Sequence, residues 1–539
     1  MKKSDLFKRT SIYALAILTI WMALCIPSLA QSNTIEEVAS LLEYLYVDEV
    51  SERVLEADTI EEMIELLDDP YTMHFTAEEY EEFINSMEMT FTGIGIYLEI
   101  VPEGVLILST IEGSPAKEAG FKSGDIIIEA DGISMENTSS EEAVVIIGGT
   151  EGTSVELVVK REDEVIKKSV IRKKIEIPTV SGEVLDGHIG YIDLNSFAKD
   201  TGVEFGEVVD ELLEDEDVDS WIIDLRDNPG GYLDASLDIA GYFIGENLVL
   251  QMKNKEESDY GGYAMDHDYT IDDPVIFLVN DYSASASEIL AAAMKDYEKG
   301  ALIGKNTYGK GSVQAMYDLS DGSVLKMTVY RFYSPEGNGI NEVGVAPDLD
   351  ISEDSLLVAE LLLGDSGSEE DKSGYMQIQI GPNTFEIDMD KAREDEYWEA
   401  FNDILREADS DMEIKRGSET GWEDVTEDEI ENSYRLLYPE YRVSDKLSDV
   451  SASKEFTIRF SDEVDMDTVT EESIELIDIE NSERVPLDFK AKGNGKIRAI
   501  PDESLENGKS YWLIVHDSVR GENGSRLNQG VLCEVLVEK

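Results

Sequence analysis

Basic charge, cysteine and histidine are all scarce in this 539-residue chain. Lys and Arg number 44 against 118 Asp and Glu, for a net charge of −74. The acidic residues are spread along the chain and do not gather in one tail. Such a surface excludes DNA and RNA as partners, because binding them needs clustered Lys and Arg that displace counterions. The charge reads as solubility and as tolerance of salt, which screens self-repulsion. The two cysteines are Cys25 and Cys533. Cys25 falls in an N-terminal apolar segment, so once that segment is cleaved no internal disulfide can form. The four histidines (His74, His188, His267 and His516) lie outside any triad motif. The acidic stretches DMDKAREDEYWE (388–399) and DEVDMDTVTEES (462–473) lack the glycine and ligand spacing of a calcium loop. No metal and no cofactor are expected.

What is present begins with an export-like start. Lys2, Lys3, Lys8 and Arg9 precede an apolar run from Ser11 to Pro27, and Ser28-Leu29-Ala30 offers small residues before Gln31. This is the pattern of a signal peptide. The run is a little short for a membrane span, and an uncleaved anchor is the alternative. Leu24 before Cys25 makes a poor lipoprotein box. Residues 1–30 are therefore a signal peptide or anchor, and the protein is expected outside the cytoplasm. With 42% hydrophobic residues the rest can bury several cores.

Residues 31–89 carry apolar positions at helical spacing (Val38, Leu41, Leu42, Leu45, then Ile60, Met63, Ile64, Leu67), interrupted at Asp69-Pro70. Residues 90–174 change to short β-rich runs with Gly between them. Residues 175–362 alternate strand-like and helical runs (IGYIDL, VVDELL, SWIIDLRD, DASLDIAGYFI, VIFLVN, SEILAAAMKDY), the pattern of an α/β layered core. GDSGSEEDKSG (364–374) has linker composition, and residues 363–447 form a linker plus an unassigned α+β region. Residues 448–539 return to alternation and read as an all-β sandwich.

GKNTYGKGS (304–312) has the glycine and lysine spacing of a phosphate-binding loop. Gly311 stands where that loop needs Ser or Thr for magnesium, and VQAMYDL after it reads as a strand. Upstream, Ser283, Ser285 and Ser287 sit between an apolar strand and a helix. Backbone N–H groups at a helix start favour developing negative charge there. A Ser-rich helix cap is the plain alternative. A serine needs a base, and a lysine can serve when burial lowers its pKa. Lys310, set among glycines, is the candidate.

SASASEILAAAMKDY (283–297) followed by GKNTYGKGSVQ (304–314) resembles the C-terminal processing (tail-specific) serine peptidases. The resemblance makes Ser285 the nucleophile, Lys310 its base and Gln314 the residue that orients the lysine. IIDLRDNPGGYL (222–233) resembles the family's strand and turn. By that likeness an N–H of Gly230 or Gly231 joins that of Ala286 in an oxyanion hole. SPEGNGINEVGVAPDLDI (334–351) and LDDPYTMHFTAEEYEEF (67–83) extend the likeness over residues 33–362. It implies a ClpP/crotonase-like layered peptidase core and a homodimer built through the N-terminal helical region.

FTGIGIYLE and GSPAKEAGFKSGDIIIEADG, within residues 90–174, resemble a PDZ domain. Successive N–H groups at Gly93, Ile94, Gly95 and Ile96 would cradle a terminal carboxylate, and the adjacent strand edge would pair with an extended peptide. Expected partners are proteins with exposed C-terminal tails. FTIRFSDEVDMDTVTEESIEL and LENGKSYWLIVHDSVRGENGSRLN resemble Ig-like repeats of bacterial surface-layer proteins, which implies association with the cell wall or membrane. A non-catalytic PDZ and Ig-like scaffold is the competing class.

Overall fold

The computed structural model describes residues 28–539, apart from 163, 215–216, 353, 365–371, 395, 409–411, 427–429, 431–432, 439–440 and 480–482. The expected export segment falls outside the described residues, except that Ser28–Ala30 begin the helix Ser28–Leu45. Among the described residues no helix is long and apolar enough to cross a membrane.

The chain divides into two compact units. One comprises residues up to 184 with 190–300 and 306–346, and the other comprises 185–189, 301–305 and 347–539. The second unit therefore draws short stretches from inside the expected 175–362 core. Among them, the strand Ala301–Gly304 pairs in parallel with Leu349–Asp350.

In the first unit, the N-terminal region is helical except for a short strand, Met73–Phe75. Asp68 in the left-handed conformation ends the helix Ile60–Leu67 just before Asp69-Pro70. Thr76 and Glu79 form a reciprocal capping box that starts the helix Ala77–Met87. The β-rich module is a six-stranded sheet with Ile96–Val101 at one edge. It is tied to the strand Thr90–Gly93 through Lys173–Glu176.

The peptidase-like part rests on two sheets. The strands Ser220–Asp224 and Val275–Val279 are buried at every position and run parallel. Strands covered on both faces read as continuous apolar runs, as SWIID and VIFLV do. The second sheet is antiparallel, with order Met73–Phe75, Val324–Tyr333, Leu248–Lys253, Asp259–Tyr263. Ser312–Asp318 also pairs with Val324–Tyr333 and carries a register shift between Val313 and Gln314. The segment after Lys310 is thus a strand, which removes the helix that a phosphate-binding loop requires.

In the second unit, Asn383–Asp388, Tyr375–Ile380, Ile414–Ser418 and Gly421–Asp424 make an antiparallel sheet. It is accompanied by the amphipathic helix Trp398–Glu407, which buries Trp398, Phe401, Ile404 and Leu405. The C-terminal residues form one five-stranded and one three-stranded sheet. Phe456, Leu476, Ile497, Leu513 and Val535 share one core there.

Candidate active site

The strand Val275–Val279 delivers the chain to the helix Ala286–Asp296 through a turn that holds Ser283 and Ser285, with Ser287 in the first turn of the helix. Two of them are committed to the scaffold. Ser283 is fully buried and its hydroxyl donates to the Leu225 carbonyl at 2.7 Å. Ser287 is fully buried and donates to the Asn228 carbonyl at 2.9 Å. Ser285 differs. Its φ is +56°, a strained value for a residue with a Cβ. It faces a cavity of about 640 Å³.

Glu288, one turn into the helix and fully buried, organises this corner. Its carboxylate accepts from the Ser285 N–H at 2.8 Å and the Lys310 N–H at 2.8 Å. It also accepts from the Gly309 N–H and from the Thr307 hydroxyl, each at 2.6 Å. One side chain therefore pins the lysine segment to the serine turn. The sequence reading missed Glu288. Its signal was the position three residues after Ser285, where a helix-start carboxylate finds free N–H groups.

Lys310 lines the same cavity as Ser285. Its ammonium lies 5.1 Å from the centroid of the Tyr71 ring. Burial pulls its pKa from 10.5 down to about 8, with the charge of Lys326 pushing the same way and Glu288 and Asp69 opposing. No hydrogen bond links Lys310 Nζ to Ser285 Oγ or to Gln314 among the described residues. Gln314 also lines the cavity, and its amide donates to Ser312 Oγ at 3.0 Å and to Thr328 Oγ1 at 3.3 Å. Thr328 in turn donates to Asp69 at 2.8 Å. Asp69 also accepts from the Thr72 hydroxyl at 2.6 Å. The N-terminal segment is thereby fastened to the Gln314 strand, a link between residues 259 apart that no local pattern reveals.

The turn of DLRDNPGG supplies the opposite wall. Arg226 and Asp224 pair, with Arg226 Nε 2.9 Å from Asp224 Oδ1. Asn228, fully buried, accepts the Gly230 N–H at 2.9 Å on its side chain and the Ala284 N–H at 3.0 Å on its carbonyl. This distinguishes the two glycines. The Gly230 N–H is already used, while those of Gly231 and Ala286 donate to no protein acceptor among the described residues. Gly230 has φ +92°, and a Cβ there would meet the Ala284 carbonyl at 2.5 Å and the Ala286 nitrogen at 2.8 Å. Only glycine lets this loop lie against the serine turn. The floor of the cavity is apolar, with Phe83 and Met87 from the N-terminal helix and Met316 and Phe332 from the antiparallel sheet.

In the β-rich module, Gly93 closes its strand and Ile94 is buried. The Ile94 carbonyl accepts from the Ala116 N–H at 2.8 Å, and that of Gly95 accepts from the Ile111 N–H at 3.1 Å. The N–H groups of Ile94 and Gly95 have no protein acceptor among the described residues. Ile96 then begins the edge strand. Arg172, which the sequence reading passed over, donates to the Ile147 and Ile146 carbonyls at 2.9 and 3.0 Å. It thereby closes the C-terminal end of the helix Ser140–Ile147. No group of three or more His, Cys, Asp or Glu able to hold a metal is found among the described residues.

Residues 188–351 match peptidase family S41, and residues 92–171 match the PDZ domain. The chain is 36% identical over 307 residues to the carboxy-terminal processing protease CtpA of Bacillus subtilis, covering 56% of this chain and 65% of that protein. It is 32% identical over 310 residues to the carboxyl-terminal-processing protease of Synechocystis sp., covering 56% of this chain and 72% of that protein. A solved photosystem II D1 C-terminal processing protease is 26% identical, covering 62% of this chain and 94% of that one with a TM-score of 0.40. The chain thus spans just under two thirds of the length of the Bacillus relative.

Proposed function

This chain belongs to peptidase family S41, and from that premise we propose that it is an exported serine endopeptidase that cleaves proteins recognised by their C-terminal tails. The observation that carries the reading is one cavity shared by Ser285, at a strained φ on a helix start, and a lysine whose burial lowers its pKa. Neutral Lys310 takes the hydroxyl proton of Ser285 as Oγ attacks the peptide carbonyl. The oxyanion points to the free N–H groups of Ala286 and Gly231 at the helix N-terminus. The C–N bond breaks, the lysine returns its proton to the leaving amine, and water hydrolyses the acyl-enzyme with Lys310 again as base. The Nζ–Oγ hydrogen bond of this proposal forms in the substrate complex, as catalytic hydrogen bonds tighten with substrate bound. Gln314 holds its wall of the cleft through Thr328 and Asp69.

The module 90–174 is the tail reader in this proposal. The free N–H groups of Ile94 and Gly95, between Gly93 and Ile96, receive the terminal carboxylate, and the edge strand Ile96–Val101 adds the peptide as a further strand. The core has the layered ClpP/crotonase-like form, and residues 448–539 are an Ig-like sandwich acting at the cell envelope. A signal or anchor at 1–30 places the enzyme outside the cytoplasm, and residues 31–89 form the dimer surface.

The test is cleavage of an unstructured protein with an apolar C-terminal tail by wild type, Ser285→Ala and Lys310→Ala. Cleavage by wild type alone is expected. Full activity in Lys310→Ala would remove the dyad, and three inactive proteins would favour the scaffold reading.

A further inference from the structure

The cleft holds a second cation that the proposed chemistry leaves unused. Lys326 lies in the strand Val324–Tyr333, opposite Met316 on one neighbour and Met73 on the other. It lines the same cavity as Ser285 and Lys310. Its ammonium sits 4.9 Å from the centroid of the Phe83 ring. Among the described residues Lys326 has no ion pair and no side-chain hydrogen bond. Asp69, the nearest acidic influence, has its oxygens occupied by Thr72, Thr328 and the Tyr71 N–H.

Isolation of this kind sets the lysines of this cavity apart. The chain has 118 acidic residues for 44 basic ones. Three other poorly exposed lysines are paired, Lys372 with Glu386, Lys391 with Asp186 and Lys509 with Asp478, whereas the two lysines of this cavity, Lys310 and Lys326, have no ion pair among the described residues. An ammonium held against apolar side chains without a counter-ion is costly, and the cost is offset only when an anion arrives. Burial also lowers its pKa, as expected of a charge lacking a partner.

We infer that Lys326 is a substrate subsite that binds a carboxylate of the peptide lying in the cleft. This rests on the reading of that cleft as the peptidase site. The carboxylate comes either from an acidic side chain near the scissile bond or from the chain's own C-terminal end. Cation–π contact with Phe83 holds the ammonium in place until it is matched. The apolar walls around it strengthen the pair once water leaves.

The experiment uses the full chain and matched peptides. One series carries Glu or Gln at each position flanking the cleaved bond, all with amidated C-termini. A second series ends in a free acid or an amide a few residues past that bond. At one register the acid is expected to exceed its amide in kcat/KM by on the order of tenfold or more. Lys326→Met should erase that ratio and Lys326→Arg should keep it. A change in Lys310 basicity alone would slow both peptides equally and leave the ratio intact. The series that shows the effect identifies the source of the carboxylate. Equal acid and amide rates at every register, or a ratio that survives Lys326→Met, overturns the subsite while the peptidase reading stands. Should wild type cleave nothing, the peptidase reading fails. Anisotropy binding of the same peptides to Ser285→Ala, with and without Lys326→Met, then still decides the subsite by whether the acid preference disappears.

Discussion

On the proposed mechanism Lys310 accepts a proton only when neutral, and burial, which lowers its pKa to about 8, sets where that happens. Below pH 8 the protonated fraction grows and kcat/KM falls about tenfold per pH unit, and above it the rate levels. A pH–rate profile between 6 and 10 should therefore have a single ascending limb with its midpoint near pH 8. Removing the like charge in Lys326→Met should move that midpoint upward. A profile flat from 6 to 9 would assign the base elsewhere. Glu288 is the other residue with outsized consequences. It receives three N–H groups and one hydroxyl. Glu288→Gln keeps the shape but replaces one acceptor oxygen with a donor, which faces donors already there. We expect a loss of about 2–4 kcal/mol of stability and a fall in acylation by an active-site serine probe. Denaturant melts and probe kinetics check both. Unchanged values would reduce Glu288 to a packing residue.

Among elements, the serine turn and the glycine turn were the easiest to read and the hardest to complete. Three serines in alternation look equivalent in the sequence. What separates them is which strand end faces Leu225 and Asn228, so Ser283 and Ser287 turn inward while Ser285 faces the cavity. The choice between Gly230 and Gly231 likewise waited on the Asn228 side chain, which occupies one N–H. The same holds in the β-rich module. Gly95 has φ +76°, and a Cβ there would meet Ser114 Cβ at 2.3 Å. Gly95→Val should therefore deform the loop that presents the Ile94 and Gly95 N–H groups. The variant should lose discrimination between substrates with apolar and charged tails while still reacting with the serine probe. Retained discrimination would move tail recognition to another surface.

For the whole molecule, the net charge of −74 acts as distributed self-repulsion. Salt screens it, so the melting temperature should rise by several degrees between about 0.1 and 1 M NaCl, where the Debye length falls from about 10 to 3 Å. A melting temperature that falls with salt would mean that specific ion pairs outweigh the repulsion. The division into units also belongs to this scale. The alternation of strands and helices marks 175–362 as one run, whereas compactness assigns 301–305 and 347–362 to the unit that continues to the C-terminus. A strand's neighbours depend on pairing across the chain, as Ala301–Gly304 with Leu349–Asp350 illustrates.

The sequence by itself determined the strand and helix types of the buried core and marked a serine turn and a lysine 25 residues on as the candidate pair. These follow from periodicity, composition and short motifs, all local properties of the chain. Tertiary structure alone decided which serine faces the cavity, which glycine N–H is free, how Asp69 reaches Gln314 through Thr328, and that Lys326 lines the cavity with no ion pair among the described residues. Each of those depends on atoms brought together from distant parts of the chain. Long-range packing and hydrogen-bond satisfaction choose among partners there, and no short stretch of sequence encodes the choice.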